Sequence, residues 1–221
     1  MEDFILPLMF VGFIALAGVT MVWFIRAERK RTESLRMMAE SMGLVYQTDL
    51  SPSLREKLDR LALMNKGRAR KVRNVLVADT GAAVMTIFDY QYTTGGGNNS
   101  QTHRLTVVAM ESDGLRVPSF QMWPEGFWSR VGSMFGMQDI DFDDSPEFSE
   151  AYVLKGEEEA AVRECFTPER RQFFAENQGH KLEAAEGVLV VFDSRKKVDE
   201  LTPLMDAAVR VRGVLEDGDR E

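Results

Sequence analysis

The chain has one cysteine, Cys165, and two histidines, His103 and His180. A single cysteine excludes an intrachain disulfide and fits a reducing compartment. Two histidines and one cysteine, widely separated, argue against a metal centre built from those ligands. No nucleophile, base and orienting group stand in a recognisable set, so no catalytic residue is assigned and no cofactor is expected. A sustained coiled-coil seam and an internal repeat are both missing. The basic segment described below has no interleaved aromatic residues. It therefore lacks the stacking half of a single-stranded nucleic-acid site, and nucleic acid is not an expected partner.

What the chain does have is one long apolar run. Phe4 to Ile25, FILPLMFVGFIALAGVTMVWFI, holds 22 residues without a charge. As a helix it spans roughly 33 Å, against a hydrocarbon core of about 30 Å. A cleaved signal peptide would carry a basic start and a shorter core, whereas here Glu2 and Asp3 precede the run. Arg26, Arg29, Lys30 and Arg31 follow it at once. Basic residues next to a span favour the cytoplasmic side. The expected arrangement is a single-pass protein of the bacterial inner membrane, with its N-terminus outside and its C-terminal domain cytoplasmic. Trp23 and Phe24 would lie at the headgroups.

Charge is unevenly spread beyond the run. Residues 26–73 carry 13 Lys and Arg against six Asp and Glu, while residues 74–221 carry 14 against 27. Lys66, Arg68, Arg70, Lys71 and Arg73 form a second basic cluster, read as a loop entering a strand. Anionic lipid would attract both basic clusters and repel the acidic remainder. Topology accounts for the first cluster without lipid recognition, and a solvated face accounts for the second.

The pattern divides the chain into an anchor (1–25), a basic juxtamembrane helix (26–43), an α+β domain (44–216) and a polar tail (217–221). Leu35, Met38, Ala39 and Met42 recur at helical spacing and Gly43 ends the run. Ser51-Pro52 and Thr167-Pro168 each read as an N-cap followed by proline at the first helical position. Strands are expected at 44–48, 72–78, 84–94, 101–110, 117–122, 148–154, 181–185 and 188–193. Gly95–Ser100, GGGNNS, closes a hairpin. Helices are expected from Pro124-Glu125 to Phe135, from Glu157 to Phe166, and over 198–215. The fold class is α+β, a mainly antiparallel sheet with helices on one face.

Asp139, Asp141, Asp143 and Glu150 fall at calcium-loop spacing, but Asp144 stands where the loop needs glycine. A pairing of Cys165 with His180 is conceivable, although a lone buried cysteine is ordinarily a small hydrophobe. Asp89, Tyr90 and Tyr92 face His103 and Arg104 across a hairpin as a polar cluster, the first place to look for a site.

Four stretches carry a resemblance: Met64–Asn74 (MNKGRARKVRN), Ile87–Thr94 (IFDYQYTT), Thr102-His103-Arg104, and residues 140–168. Together they resemble a widespread family of uncharacterised bacterial membrane proteins, in which an N-terminal transmembrane segment precedes an α+β domain of unknown function. The resemblance implies a bacterial inner-membrane setting and brings no activity, cofactor or site residue with it. Two functions remain open. One is a membrane-anchored, non-enzymatic scaffold that binds anionic lipid or another membrane protein. The other is a membrane-bound enzyme with a polar site near His103, Asp89 and Tyr90.

Overall fold

The computed structural model describes residues 2–126 and 139–216, without the side chains of residues 2–15, 17 and 98. Helix α1, Glu2–Met42, joins the apolar run and the basic segment into one rod of 41 residues. Among the described residues no helix is long and apolar enough to cross a membrane. Gly43, at φ +70°, ends the helix, and the Leu44 amide bonds back to the Ala39 carbonyl at 2.8 Å.

The rest of the chain builds one eight-stranded sheet. Its strands are β1 (Val45–Gln47), β2 (Arg68–Asp79), β3 (Val84–Thr94), β4 (Gln101–Glu111), β5 (Phe120–Pro124), β6 (Tyr152–Gly156), β7 (Leu182–Ala185) and β8 (Val188–Ser194). The order is β1-β2-β3-β4-β8-β7-β5-β6, and each neighbouring pair is antiparallel. Between β3 and β4, Gly95 has φ +70°, and a Cβ there would sit 2.3 Å from the Asn99 carbonyl oxygen. Only glycine makes that turn without strain.

Helices cover both faces, not one. Helices α2 (Pro52–Leu58) and α3 (Ala62–Asn65) lie on one face, where Leu54, Leu58 and Leu63 meet Val75, Phe88, Val107 and Val190. The other face carries the second half of α1 with α4 (Pro146–Ala151), α5 (Glu159–Cys165), α6 (Pro168–Glu176) and α7 (Leu201–Glu216). There Leu35, Ala39, Val162, Phe174, Met205 and Val211 share a core with Leu76, Ile87, Val108 and Leu189. The two sets alternate along each strand because successive side chains leave opposite sides of the sheet. A one-face layout would have left Phe88, Val107 and Val190 in water.

Both proline-marked helix starts form as expected. Ser51 Oγ accepts from the Leu54 amide at 3.2 Å, and Thr167 Oγ1 from the Arg170 amide at 3.4 Å. Three boundaries differ. The basic stretch from Arg68 to Lys71, expected as a loop before a strand at 72, is already part of β2. The segment expected as a strand from Phe148 is helix α4 up to Ala151 and strand only from Tyr152, because Pro146 at a first helical position starts a turn. Pro124 ends β5 instead of opening a helix, and the remainder of that expected helix, with Phe127, Trp128, Val131, Met134 and Phe135, lies outside the described residues.

Candidate functional site

The most developed polar arrangement joins α1 to the sheet. Two bulges in β2 prepare it: between Arg68 and Lys71, and between Arg73 and Leu76, one extra residue is accommodated against β3. The second places Asn74 at φ +52°, a left-handed conformation that asparagine tolerates better than most residues. Asn74 is buried, and its Nδ2 donates to Asp89 Oδ2 at 2.8 Å. Thr32 of α1 and Tyr46 of β1 donate their hydroxyls to Asn74 Oδ1 at 2.9 and 3.0 Å.

Asp89 is the centre of the set. Arg31 grips it with two bonds, Nε to Oδ2 at 2.8 Å and Nη2 to Oδ1 at 2.6 Å. This fork-to-fork geometry is the strongest form of a carboxylate pair. The third arm of Arg31, Nη1, donates to the Lys196 carbonyl at 2.6 Å. Arg195, just after β8, reaches Asp89 at 3.5 Å and holds Glu28 of α1 with two bonds of 2.5 and 2.7 Å. The Arg195 guanidinium keeps the Glu28 carboxyl below its ordinary range. Two turns of α1 are thus fixed to β2, β3 and the end of β8 through charge-assisted bonds. Leu35 and Ala39 continue the contact into the core.

These contacts also give α1 a direction along the sheet. Phe24 lies under the Arg104 guanidinium at 5.2 Å, and Arg104 pairs with Gln91. Arg31 meets Asp89, two residues further from the hairpin tip. Going back along α1 toward its apolar run therefore means going toward the β3–β4 tip. Arg68 and Lys71 pair with Thr93 and Gln91, so the basic start of β2 lies at this same end. The sheet end facing the apolar run is basic.

The residues expected to face lipid divide accordingly. Arg26, Arg29 and Lys30 are exposed on α1, as are Arg68, Arg70, Lys71 and Arg73 on β2. Arg68 donates to the Gly95 carbonyl, and Arg70 donates to the Met64 carbonyl at 2.9 Å. Arg31 is a correction: its side chain is 13% exposed and is spent on Asp89. Lys66 is the second correction, for it is buried. Its ammonium lies 5.7 Å from the Tyr92 ring, and burial lowers its pKa.

The expected polar cluster is split between the two faces. Asp89 and Arg104 point toward α1. Tyr90, Tyr92 and His103 join Lys66 on the α3 side. Tyr92 stacks on His103 at 4.8 Å, and His103 Nε2 shares a hydrogen bond with Thr94 Oγ1 at 2.8 Å. Burial, helped by Lys66, lowers the His103 pKa, and burial raises Tyr92 to about 12. Tyr90 donates to the Met64 carbonyl at 3.1 Å. The Tyr90 hydroxyl and His103 Nε2 are engaged in structural bonds, and Asp89 is not within the set.

Other acidic and thiol candidates have structural tasks too. Asp139 accepts from the Leu154 amide at 2.9 Å, and Asp144 pairs with Arg171 at 2.5 Å. Among the described residues no three His, Cys, Asp or Glu side chains are grouped to hold a metal ion. Cys165 is buried beside Arg170, and His180 packs edge-on against Phe174.

Sequence reasoning missed Glu28, Thr32, Asn74, Arg195 and Glu183. Glu183, on β7, is buried and accepts from the Leu63 amide at 2.9 Å, capping α3 from 120 residues away. Asn74 alone had a local signal, an asparagine interrupting the apolar and basic residues of a strand. Comparison with protein-family models, curated proteins and solved structures returned no match. The resemblance to bacterial single-pass proteins rests on the residues quoted for it.

Proposed function

We propose that this chain is a single-pass membrane protein whose α+β domain acts as a non-enzymatic interaction module, held with its basic end against anionic lipid. One observation carries the reading: the described side chains of α1 before Arg26 are mostly apolar and uncovered. Leu16, Val19, Met21, Val22 and Trp23 are 46–72% exposed. At 100° per residue these five, together with Phe24 at 37% exposed, leave no gap wider than about 100° around the helix. A soluble chain seldom leaves so continuous an apolar surface in water.

The basic end of the sheet supports the same reading. Arg29 follows Ile25 by one turn, about 6 Å, which is the depth of the headgroup layer. The exposed basic side chains of β2 lie at the end toward which this part of α1 points. Each Lys or Arg near an anionic surface contributes about 1 kcal/mol. The basic flank favours a cytoplasmic domain in a bacterial inner membrane. The domain would present its remaining surface to another membrane-held protein, because confinement raises effective concentration. The enzyme alternative needs Asp89 and Tyr90 beside His103, and Asp89 stands on the opposite face from the other two.

Carbonate extraction of membranes from cells producing the full chain tests the anchor. The chain stays in the pellet, and protease reaches the domain in inverted vesicles but not in intact spheroplasts. Release into the carbonate supernatant overturns the reading, as does cleavage of the domain from the outer side.

A further inference from the structure

Beside the Asp89 set, α1 and the first half of β2 diverge. Strand β1 pairs with β2 only over Val75–Val77. The edge of β2 before Asn74 therefore has no strand on that side, and N-terminal to Thr32 α1 is held to β3, β4 and the end of β8 through Arg31, Phe24 and Glu28. An open hollow of about 680 Å³ results. Met21, Phe24 and Ile25 line its upper end, and Arg29, Arg36 and Arg73 its lower end.

The two ends differ in chemistry as the two parts of a phospholipid do. Phe24 and Ile25 are 37% and 39% exposed, and they close the uncharged run. Arg29 lies one turn below them, at phosphate depth. Arg36 is about 16 Å below Ile25 by helical rise and stacks on Tyr46 at 4.8 Å, too deep and already engaged. That leaves Arg29 and Arg73: neither makes a salt bridge or hydrogen bond among the described residues, and Arg73 lies near enough to Glu28 to help lower its pKa. Of the two carboxylates at the hollow, Glu28 is neutralised by Arg195, and Glu33 is exposed. The surplus charge is positive, and guanidinium forks suit phosphate oxygens.

We propose that this hollow seats one anionic phospholipid, its phosphodiester between Arg29 and Arg73 and its first acyl carbons along Met21, Phe24 and Ile25. The seat rests on the membrane reading, and it adds a defined stoichiometry and a headgroup preference. A basic surface alone attracts anionic lipid without either.

Native mass spectrometry of the full chain in detergent, with equal phosphatidylglycerol and phosphatidylcholine of matched acyl chains, tests it. The first lipid retained is phosphatidylglycerol, by about tenfold or more. Arg29→Gln with Arg73→Gln abolishes the preference. Arg60→Gln with Arg116→Gln, exposed basic residues on neither α1 nor β2, leaves it intact. Inorganic phosphate does not displace the lipid, because the apolar end contributes to holding it. Equal retention of the two lipids overturns the seat. So does a preference that survives the Arg29 and Arg73 changes, or displacement by phosphate. A chain that resists carbonate yet shows no headgroup preference refutes the seat and leaves the anchor standing. A chain released by carbonate refutes the anchor.

Discussion

Asp89→Ala lowers the stability of the full chain by about 3–5 kcal/mol. The carboxylate is 10% exposed and meets Arg31 twice, Asn74 once and Arg195 at 3.5 Å. Removing it leaves two donors of Arg31 and the Asn74 amide without their acceptor, while Arg195 keeps Glu28. That penalty is larger than the net value of the pair, because the desolvation of Arg31 is no longer offset. A domain of this size is stable by about 5–15 kcal/mol, so the loss is a large fraction. Glu28→Ala costs less, since Glu28 is 20% exposed and water replaces part of what it gave Arg195. Asp89→Leu combined with Arg31→Met recovers much of the loss, because both charges then leave together. Urea unfolding followed by circular dichroism measures each variant. A loss under about 1 kcal/mol for Asp89→Ala would show that Asp89 is not the centre of the junction.

The second large effect is a dependence on pH. Burial raises the Glu183 carboxyl from 4.5 to about 7 against the opposing pull of the Leu63 amide and Lys66. The folded pKa therefore lies above the unfolded one. Stability from this group is fully present below about pH 4.5 and is lost as pH rises through about 7, where the folded state must bury a carboxylate. The difference amounts to about 3 kcal/mol at 1.36 kcal/mol per unit. Glu183→Gln keeps an oxygen for the Leu63 amide and removes the titration. The variant is more stable than the parent at pH 8, and the gap closes toward pH 4.5. Parallel stability curves for the two proteins from pH 4.5 to 8 would refute this account of Glu183.

Much of the fold was legible where signals are local. The hairpin at Gly95–Ser100, the caps at Ser51 and Thr167 and the stop at Gly43 each follow from a few adjacent residues. The α+β class and antiparallel pairing followed from strands joined by short turns. The junction was less legible. Glu28 meets Arg195 across 167 residues, and Arg31 meets Asp89 across 58. No periodicity records contacts of that separation. Arg31 and Lys66 carried the same charge signal as their exposed neighbours, and only tertiary packing separates them. One error was avoidable. Asp89 and Tyr90 are adjacent in a strand, so the two-residue period alone puts them on opposite faces. The bulge at Asn74 was harder, because its register shift depends on the pairing with β3.

The orientation of the domain on the membrane is the central claim, and depth measurement addresses it most directly. A nitroxide is attached at Ser100→Cys or at Asp113→Cys, each in a Cys165→Ser chain reconstituted into nanodiscs with phosphatidylglycerol. Ser100 borders the β3–β4 tip, and Asp113 follows the far end of β4, about 35 Å away by strand rise. The label at 100 is shielded from an aqueous nickel relaxant and relaxed by oxygen dissolved in lipid, while the label at 113 behaves as one in water. Equal exposure of the two labels to nickel would contradict that orientation.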